Sequence, residues 1–516
     1  MTKKRIFLLM IWLAILSFPF AYGYLHQNKD LIFGGFLLNP IDGNSYLAKI
    51  QQGYAGNWFF QLPYSFELNS KAILFVFYII IGHISRIIGV VPIIAFHIFR
   101  LLSAIFLFYS LLQFLNFLGF KKGFLNNVIF IILIFGGGLG WLYVISGDIP
   151  ADFWVSEAFP FLSSISNPHF PLTISLICWT LILTKTNYSK KNIQFIYLLI
   201  GIILANISPF SILIVGVLLF SIIILNWNID RKNSLLNILF FSLGSFPFIL
   251  YQFIVVNGDP VLAGWNAQNI TPAPNLINFI FSFSPFLAGI IFLLFKRITQ
   301  VSKKLSSDET VLLIWVITGI FLLYLPLNLQ RRFLVGYYIP VVTLFFLLLS
   351  DVLPVVENKI KMKVKTGLLA IILFSILSNV FVLYGATMTI SSFSDSLYVS
   401  RDLISASKWI KNNCETNSLV LAGLDTGLLI PSYSFSRTVF GHPFETINYT
   451  KTETAVSDFW SGNNENVERL LLKKWNVDYI YYGVEEKSLG KPKVLEKFPI
   501  IYQNLSVQIY KVLKNE

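Results

Sequence analysis

The sequence is poor in cysteine and in charged side chains. Only Cys178 and Cys414 occur among 516 residues, the first within an apolar run and the second in a polar region, which argues against an internal disulfide. Charged residues make up 13% of the chain, against roughly 25% in an ordinary soluble domain. Hydrophobic residues make up 55%, so a soluble core does not account for the composition.

Familiar signatures of soluble enzymes are also missing. The sequence has no G-x-S-x-G motif, and no pair of Cys or His residues has the spacing of zinc ligands. The stretch GGGLG at 136–140 is not followed by Lys-Ser or Lys-Thr, as a phosphate-binding loop would be, and it lies at the end of an apolar run. Close packing between helices is therefore the favoured interpretation of these glycines.

The sequence does contain a series of long apolar runs. Runs of about 20 residues recur between residues 5 and 388, each long enough to cross a hydrocarbon core about 30 Å thick. Short basic clusters such as Lys121-Lys122 and Arg231-Lys232 separate them, which is typical of cytoplasmic loops and not of a nucleic-acid groove, despite the net charge of +13. We therefore predict a multi-pass protein of the plasma membrane with a cytoplasmic N-terminus and no nucleic-acid partner.

We predict how the chain crosses the membrane by placing most of the basic clusters on the cytoplasmic side. The predicted path has about eleven transmembrane helices plus a re-entrant or juxtamembrane helix over 72–90, which implies a cavity beneath the outer surface. The predicted spans are 5–25, 91–118, 124–146, 170–185, 193–206, 208–226, 234–256, 275–295, 309–327, 333–350 and 366–388.

Beyond Ser391 the composition becomes that of an aqueous domain. We predict a transmembrane domain over 1–390 and an extracytoplasmic soluble α/β domain over 391–516. Alternating patterns in the second part predict helices near 402–412 and 451–474 and strands near 418–423, 477–483 and 506–513.

The first predicted outer loop contains an isolated carboxylate, Asp42. A carboxylate at a membrane boundary suits a general base that removes a proton from an acceptor hydroxyl. The alternative is a loop Asp that caps a helix beginning near Asn44. Tyr46 and Lys49 follow on what reads as a short helix, and with Arg86 they are further candidates for the lining of a cavity.

The second predicted outer loop offers four polar candidates between aromatic residues. They could supply a second acid, an acceptor site or hard ligands for Mg²⁺ or Mn²⁺ bound to a phosphate, although no fixed ligand spacing is present. The alternative is interfacial anchoring by Trp and Phe with solvated carboxylates. The four residues are Asp148, Asp152, Glu157 and His169.

Arginines form the third group of candidates. Arg331 and Arg332 are adjacent at the predicted outer end of a span, against the charge bias of the other clusters, which favours binding of an anionic group. Snorkelling to lipid headgroups is the alternative. Arg100 lies in an otherwise apolar span, where either a structural ion pair or a phosphate contact would explain it.

The arrangement resembles the GT-C superfamily of membrane glycosyltransferases, and is similar to its protein mannosyltransferases and aminoarabinose transferases. The resemblance rests on the acidic first outer loop, the Arg-Arg pair before GYYIP, the turn NISPF at 206–210 and a C-terminal α/β domain. Segments such as SYLAKIQQGY, DFWVSEAFPF, NPHFPL and GHPFE are similar to those of uncharacterised prokaryotic members.

The resemblance implies a polyprenyl-phosphate-sugar donor, inverting transfer to a lipid, glycan or protein acceptor, Asp42 as the base and Arg331 and Arg332 at the donor phosphate. Many members have two acids in the first outer loop, whereas Ile41 and Gly43 flank Asp42 here. The second carboxylate is therefore unassigned.

Two other functions fit the same residues. A transporter or flippase of lipid-linked sugars would use the cavity and the arginines without needing Asp42, although no duplicated halves are evident. A catalytically inactive scaffold is consistent with the single acid of the first loop. In the aqueous domain, His442 and Glu445 of GHPFE could line the acceptor entrance or form a structural turn. The hypothesis of transfer requires Asp42 and the arginine pair to share one pocket.

Overall fold

The structure is a computed structural model that describes residues 2–186, 190–228, 230–301, 304–352 and 362–513. Most of these residues are helical. The α-helices of these residues are α1 Lys3–Leu25, α2 Pro40–Tyr54, α3 Val76–Ile88, α4 Pro92–Phe117, α5 Phe124–Phe135, α6 Gly140–Tyr143, α7 Ala151–Trp154, α8 Pro160–Ser166, α9 His169–Ile182, α10 Lys190–Ile207, α11 Pro209–Leu225, α12 Arg231–Gly258, α13 Pro260–Gln268, α14 Leu276–Phe283, α15 Phe286–Lys296, α16 Ser307–Leu323, α17 Tyr338–Val352, α18 Met362–Ser391, α19 Arg401–Asn413, α20 Leu424–Tyr433, α21 Tyr449–Trp460, α22 Glu465–Trp475 and α23 Val484–Leu489.

Besides five short 3₁₀- or π-helical segments, the described residues form seven short strands. They are β1 Leu31–Phe33, β2 Tyr398–Ser400, β3 Leu419–Leu421, β4 Arg437–Thr438, β5 Tyr479–Tyr482, β6 Ile500–Gln503 and β7 Gln508–Lys511. Packing divides the chain into two units. Unit 1 comprises Met1–Pro19, Phe99–Leu250 and Thr271–Met388, and unit 2 comprises Phe20–Ile98, Tyr251–Ile270 and Thr389–Glu516.

Among the described residues, six helices are long and apolar enough to cross a membrane, or up to eight spans if two bent pairs count as one each. The six are Lys3–Leu25, Pro92–Phe117, Lys190–Ile207, Arg231–Gly258, Gln330–Asp351 and Val364–Ser391. The predicted count of about eleven is not confirmed by this measure, which leaves out shorter helices such as α9 and α11. The predicted turn NISPF is confirmed, because α10 ends at Ile207 and α11 begins at Pro209.

Two predicted spans are bent within their length. Residues 124–146 form α5 and α6 at an angle of 45° to each other, with the glycines of 136–138 between them. A Cβ atom on Gly138 would lie 2.0 Å from the carbonyl oxygen of Ser282 in α14, so the predicted close packing at GGGLG is confirmed. Residues 276–299 bend by 82° at Ser284-Pro285, where a proline interrupts the helical pattern.

In unit 2, α2 crosses α3 through two glycines. A Cβ on Gly53 would lie 2.1 Å from the carbonyl oxygen of Ile79, and one on Gly82 would lie 2.2 Å from that of Ile50. Glycine at both positions therefore allows the two backbones to touch. The 13 residues of α3 span about 20 Å, too short to cross a bilayer alone. A helix within the predicted stretch 72–90 is confirmed, and its re-entrant or juxtamembrane position stays a prediction.

The C-terminal part of unit 2 contains a five-stranded sheet in the order β4-β3-β5-β7-β6. The pairs β3–β4 and β3–β5 are parallel, and β7 is antiparallel to both neighbours. Alternate residues of β3 enter separate hydrophobic clusters, since Leu419 and Leu421 pack with α21 and α22 while Val420 packs with α19. The sheet and its helices agree with the predicted α/β pattern, and the predicted soluble domain over 391–516 and its extracytoplasmic location stay predictions.

Several predicted elements of this segment need correction. The helix predicted over 451–474 is wrong as a single element, because α21 ends at Trp460 and α22 begins at Glu465. Gly462 between them has φ of +67°, and a Cβ there would lie 2.4 Å from the carbonyl oxygen of Lys491. The strands β4 and β6, the helix α20 and the antiparallel pair β1–β2 were not predicted from the sequence. The strands β3, β5 and β7, which are just as short, lie within the predicted strands, so length alone does not explain the missed strands.

A buried carboxyl group makes this sheet region sensitive to pH. Glu486 accepts hydrogen bonds from the backbone N–H groups of Gly423 at 2.7 Å and Gly483 at 2.9 Å, and burial raises its pKa from 4.5 to about 7. Between pH 4.5 and about 7, the carboxyl group of Glu486 is therefore protonated in the folded chain and ionised in the unfolded chain. The resulting stabilisation is complete below that value and is lost as the pH rises through about 7.

We expect the free energy of unfolding to fall by up to about 3 kcal/mol between about pH 5 and about pH 8 through this group alone. Denaturant titration of the purified full chain in detergent, at both pH values, measures the change. Glu486→Gln should reduce the pH dependence by that amount, since an amide does not titrate. An equal dependence in the wild type and the variant would contradict the assignment.

Candidate functional site

The N-terminus of α2 positions Asp42. Asn39 adopts a left-handed conformation with φ of 52°, and its side chain accepts a hydrogen bond from the backbone N–H of Asp42 at 3.4 Å. Asn39 is thus the cap and Pro40 the first helical residue, as is common at helix starts. The alternative interpretation of Asp42 as a cap is therefore wrong. Its carboxylate lies in the first turn, where the helix dipole favours negative charge, and remains 24% exposed.

Two side chains hold the carboxylate of Asp42. The amide nitrogen of Asn39 donates to Oδ2 at 2.5 Å, and Nε2 of His442 lies 3.2 Å from Oδ1. The backbone N–H of Phe444 donates to Nδ1 of His442 at 3.1 Å. Because Nδ1 accepts this hydrogen bond, the ring proton lies on Nε2, and Nε2–H donates a hydrogen bond to Oδ1 of Asp42.

Two helical turns further along α2, a buried ion pair joins the same segments of unit 2. Lys49 is fully buried and donates to Oε1 of Glu445 at 2.7 Å and to Oγ of Ser45 at 2.5 Å. Lys49 also lies over the ring of Phe75, with Nζ 4.3 Å from the ring centroid. Burial alone would raise the pKa of Glu445, but Lys49 lowers it overall. The site therefore contains a charged, ordered support beneath Asp42.

We expect Lys49→Met to lower the free energy of unfolding by about 3–5 kcal/mol, because Glu445 would stay buried without its cation. Denaturant titration of the purified chain measures the loss. The double variant Lys49→Met with Glu445→Gln leaves no buried charge and should recover most of the stability. Lys408→Met, at an exposed lysine of the same unit, is the matched control. A double variant no more stable than the single one would contradict this explanation.

The other cavity candidates of unit 2 have identifiable contacts. The ring of Tyr46 stacks on that of Tyr78, with centroids 4.3 Å apart. Arg86 is exposed near the C-terminal end of α3, where the helix dipole favours a cation. Gly56 has φ of +100°, and a Cβ there would lie 2.4 Å from the guanidinium of Arg86. These contacts account for the two side chains, and their role in a cavity stays a prediction.

In unit 1, Glu157 organises the arginine pair. Oε1 of Glu157 lies 3.1 Å from Nε of Arg331 and 3.7 Å from a terminal nitrogen of Arg332, and the Glu157 side chain is only 4% exposed. The guanidinium of Arg331 also lies over the ring of Trp154, 4.7 Å from the centroid. Two guanidinium groups and one carboxylate leave a net charge of +1. The group is therefore ordered and electropositive, as an anion site requires.

Glu157 therefore acts as the ion-pair partner of the arginines, and its predicted role as a second acid or metal ligand stays a prediction. Backbone contacts bring the segments together, because the N–H of Gly336 donates to the carbonyl oxygen of Glu157 at 2.9 Å. The backbone N–H of Arg331 donates to the carbonyl oxygen of Thr271 at 3.2 Å. The prediction that Asp42 and the arginine pair share one pocket concerns both units and stays a prediction.

The remaining residues of the second predicted outer loop have separate partners. Asp152 is fully buried, and Oδ2 accepts from the N–H groups of Gly138 at 2.9 Å and Gly140 at 3.2 Å. Asp148 accepts from the hydroxyl of Tyr143 at 3.3 Å, and the ring of His169 contacts that of Phe170. Within the described ranges, no group of three or more His, Cys, Asp or Glu side chains could hold a metal ion. The binding of Mg²⁺ or Mn²⁺ together with a substrate phosphate is not tested by this finding and stays a prediction.

Arg100 has a structural environment in unit 1. Its side chain donates to the carbonyl oxygen of Ser164 at 3.0 Å and approaches that of Leu16 at 3.5 Å, and the residue is 1% exposed. These contacts with α8 and α1 explain a buried arginine in an apolar helix. The predicted contact with a donor phosphate is not tested by them.

Sequence reasoning missed the direct partners of Asp42. The pair Asn39-Pro40 is a recognisable helix start and could have assigned Asn39 as the cap. No local signal connects Asp42 with His442, which is 400 residues away. The sequence predicts Glu157 as a candidate acid, but it contains no local signal for the pairing of Glu157 with Arg331, which is 174 residues away.

No family model matches the sequence, and no curated protein matches it. Several solved structures do match the fold of this chain. An oligosaccharyltransferase of Archaeoglobus fulgidus, tethered to an acceptor peptide with an NVT sequon, has a TM-score of 0.51 at 12% identity, over 92% of this chain and 69% of that one. ArnT from Cupriavidus metallidurans, bound to undecaprenyl phosphate, has a TM-score of 0.51 at 9% identity, over 96% of this chain and 97% of that one.

These structural neighbours are membrane glycosyltransferases of the GT-C type, and the chain has their fold. The predicted resemblance is therefore confirmed at the level of the fold. Together with its apolar helices, this likeness identifies the chain as a multi-pass membrane protein.

Proposed function

We propose that the protein transfers a sugar from a polyprenyl-phosphate donor to a cell-envelope acceptor on the extracytoplasmic side, with inversion at the anomeric carbon. The observation that carries the proposal is the likeness to ArnT over nearly the full length of both chains, since that structure holds undecaprenyl phosphate. The ordered carboxylate of Asp42 and the electropositive Arg331–Arg332 pair supply the two kinds of group that such a transfer needs.

Asp42 is the proposed general base. Its carboxylate accepts the proton of an acceptor hydroxyl while the hydroxyl oxygen attacks the anomeric carbon from the face opposite the phosphate. The bond between that carbon and the phosphate oxygen breaks, and the sugar configuration inverts. The position of Asp42 in the first turn of α2 favours the ionised form that a base requires.

Arg331 and Arg332 are the proposed ligands of the donor phosphate. Negative charge builds on the phosphate oxygen as the polyprenyl phosphate leaves, and preordered cations lower the barrier by stabilising that charge. Nε of Arg331 donates a hydrogen bond to Glu157. This bond fixes the orientation of the planar guanidinium before a donor binds. No step of this mechanism depends on a metal ion.

The test uses the purified full chain in lipid nanodiscs, polyprenyl-phosphate sugars labelled in the sugar, and acceptor fractions of the cell envelope. The proposed function predicts a labelled product with inverted configuration and release of unlabelled polyprenyl phosphate. With the same chain in sealed vesicles, movement of intact donor across the membrane without a new glycosidic bond would identify a flippase. If the protein neither transfers the sugar nor moves the donor, the result would favour a catalytically inactive scaffold.

A further inference from the structure

The turn GHPFE approaches α2 at two levels within unit 2. Asp42, Ser45 and Lys49 are spaced three and four residues apart and so share one face of α2. His442 and Glu445 are three residues apart on the turn. His442 contacts Asp42, while Glu445 contacts Ser45 and Lys49. The buried ion pair therefore fixes the turn that carries His442.

The ring of His442 has little freedom to move. It is 2% exposed and stacks on the ring of Tyr64, with centroids 5.8 Å apart. The backbone N–H of Phe444 occupies Nδ1, and the N–H groups of Glu445 and Thr446 both donate to the carbonyl oxygen of His442. Packing and hydrogen bonding thus fix both the orientation of the ring and its tautomer.

We propose that His442 is a positioning residue for Asp42, an inference that rests on the proposed function. Its Nε2–H holds Oδ1 while the amide of Asn39 holds Oδ2, so the carboxylate plane cannot rotate and its remaining lone pairs keep one direction. The acceptor proton moves to Asp42 and not to His442, because both ring nitrogens are already occupied.

The proposal is tested by three substitutions that separate the hydrogen bond from the volume of the ring. His442→Phe keeps the ring and loses the donor, His442→Asn has an amide too short to reach Asp42, and His442→Gln places an amide N–H near the position of Nε2. We expect kcat to fall about 10-fold in the Phe and Asn variants, with the donor KM unchanged, and to recover within about threefold in the Gln variant.

His26→Phe is the matched control, because it makes the same change at a histidine of unit 2 whose ring stacks near Phe393. A Phe or Asn variant with the kcat of the wild type would overturn the positioning role, as would a Gln variant as impaired as the other two. A rise in KM alone would also overturn it. If His442→Phe does not fold, the comparison of Asn with Gln decides the question.

The outcomes separate this inference from the function on which it rests. Transfer by the wild type with an undiminished Asn variant removes the role of His442 and leaves the proposed function intact. Absence of transfer by the wild type with every donor of the class removes both.

Discussion

Replacing Asp42 with Asn should lower the rate of sugar transfer by about 10²–10⁴-fold, the usual contribution of a general base. The amide keeps the size and planar shape of the carboxylate but cannot accept the acceptor proton. Because the donor phosphate binds elsewhere in the proposal, most of the loss should appear in kcat and little in the donor KM. Initial rates with labelled polyprenyl-phosphate sugars measure both constants.

Asp30→Asn is the control for this experiment, since Asp30 is an exposed carboxylate of the same predicted outer loop. It should transfer sugar at the rate of the wild type. Undiminished transfer by Asp42→Asn would falsify the assignment of the base. An equal loss in both variants would instead point to a general effect of charge in the loop.

Arg331→Ala should raise the KM for the donor about 10–100-fold, as expected for the loss of hydrogen bonds to a charged group. The proposed contact with the donor phosphate disappears, and the buried carboxylate of Glu157 keeps only the more distant of its two arginine partners, Arg332 at 3.7 Å. Arg331→Lys keeps the charge but not the planar fork, so an intermediate KM is expected. Glu157→Gln should also raise KM, by a smaller factor, because it releases the orientation of the guanidinium.

The matched control is Arg469→Ala, which removes an arginine of α22 whose pair with Glu465 is partly exposed. Its donor KM should equal that of the wild type. A donor KM in Arg331→Ala that stays within experimental error of this control would reject the phosphate role. A loss of kcat without any change in KM would move Arg331 from donor binding to another step.

Much of the helical architecture could be predicted, because hydropathy and helix signals are local. Predicted span 193–206 corresponds to α10, 208–226 to α11 and 366–388 to α18. The prediction failed where a turn depends on tertiary contact. Gly462 breaks a pattern that reads as one helix: its φ is positive, and the nearby carbonyl oxygen of Lys491, which only the tertiary structure brings there, leaves no room for a Cβ atom.

The candidate site was predicted less completely than the fold. Asp42, Arg331 and Glu157 were singled out by their unusual positions beside apolar runs, which is a local property. The partners of these residues could not be predicted, because a hydrogen bond between residues far apart in the sequence leaves no local pattern. His442 was thus open to two interpretations until its contact with Asp42 at 3.2 Å was seen.

The sequence by itself determined that this is a multi-pass membrane chain with an α/β segment after its last apolar run, because the length and period of hydrophobic runs decide whether backbone groups can be satisfied in lipid. Only the tertiary structure decided that Lys49 pairs with Glu445 across 396 residues and that Glu157 restrains Arg331. The physical reason is that charges are buried in pairs, and which distant residues become partners depends on how the elements pack.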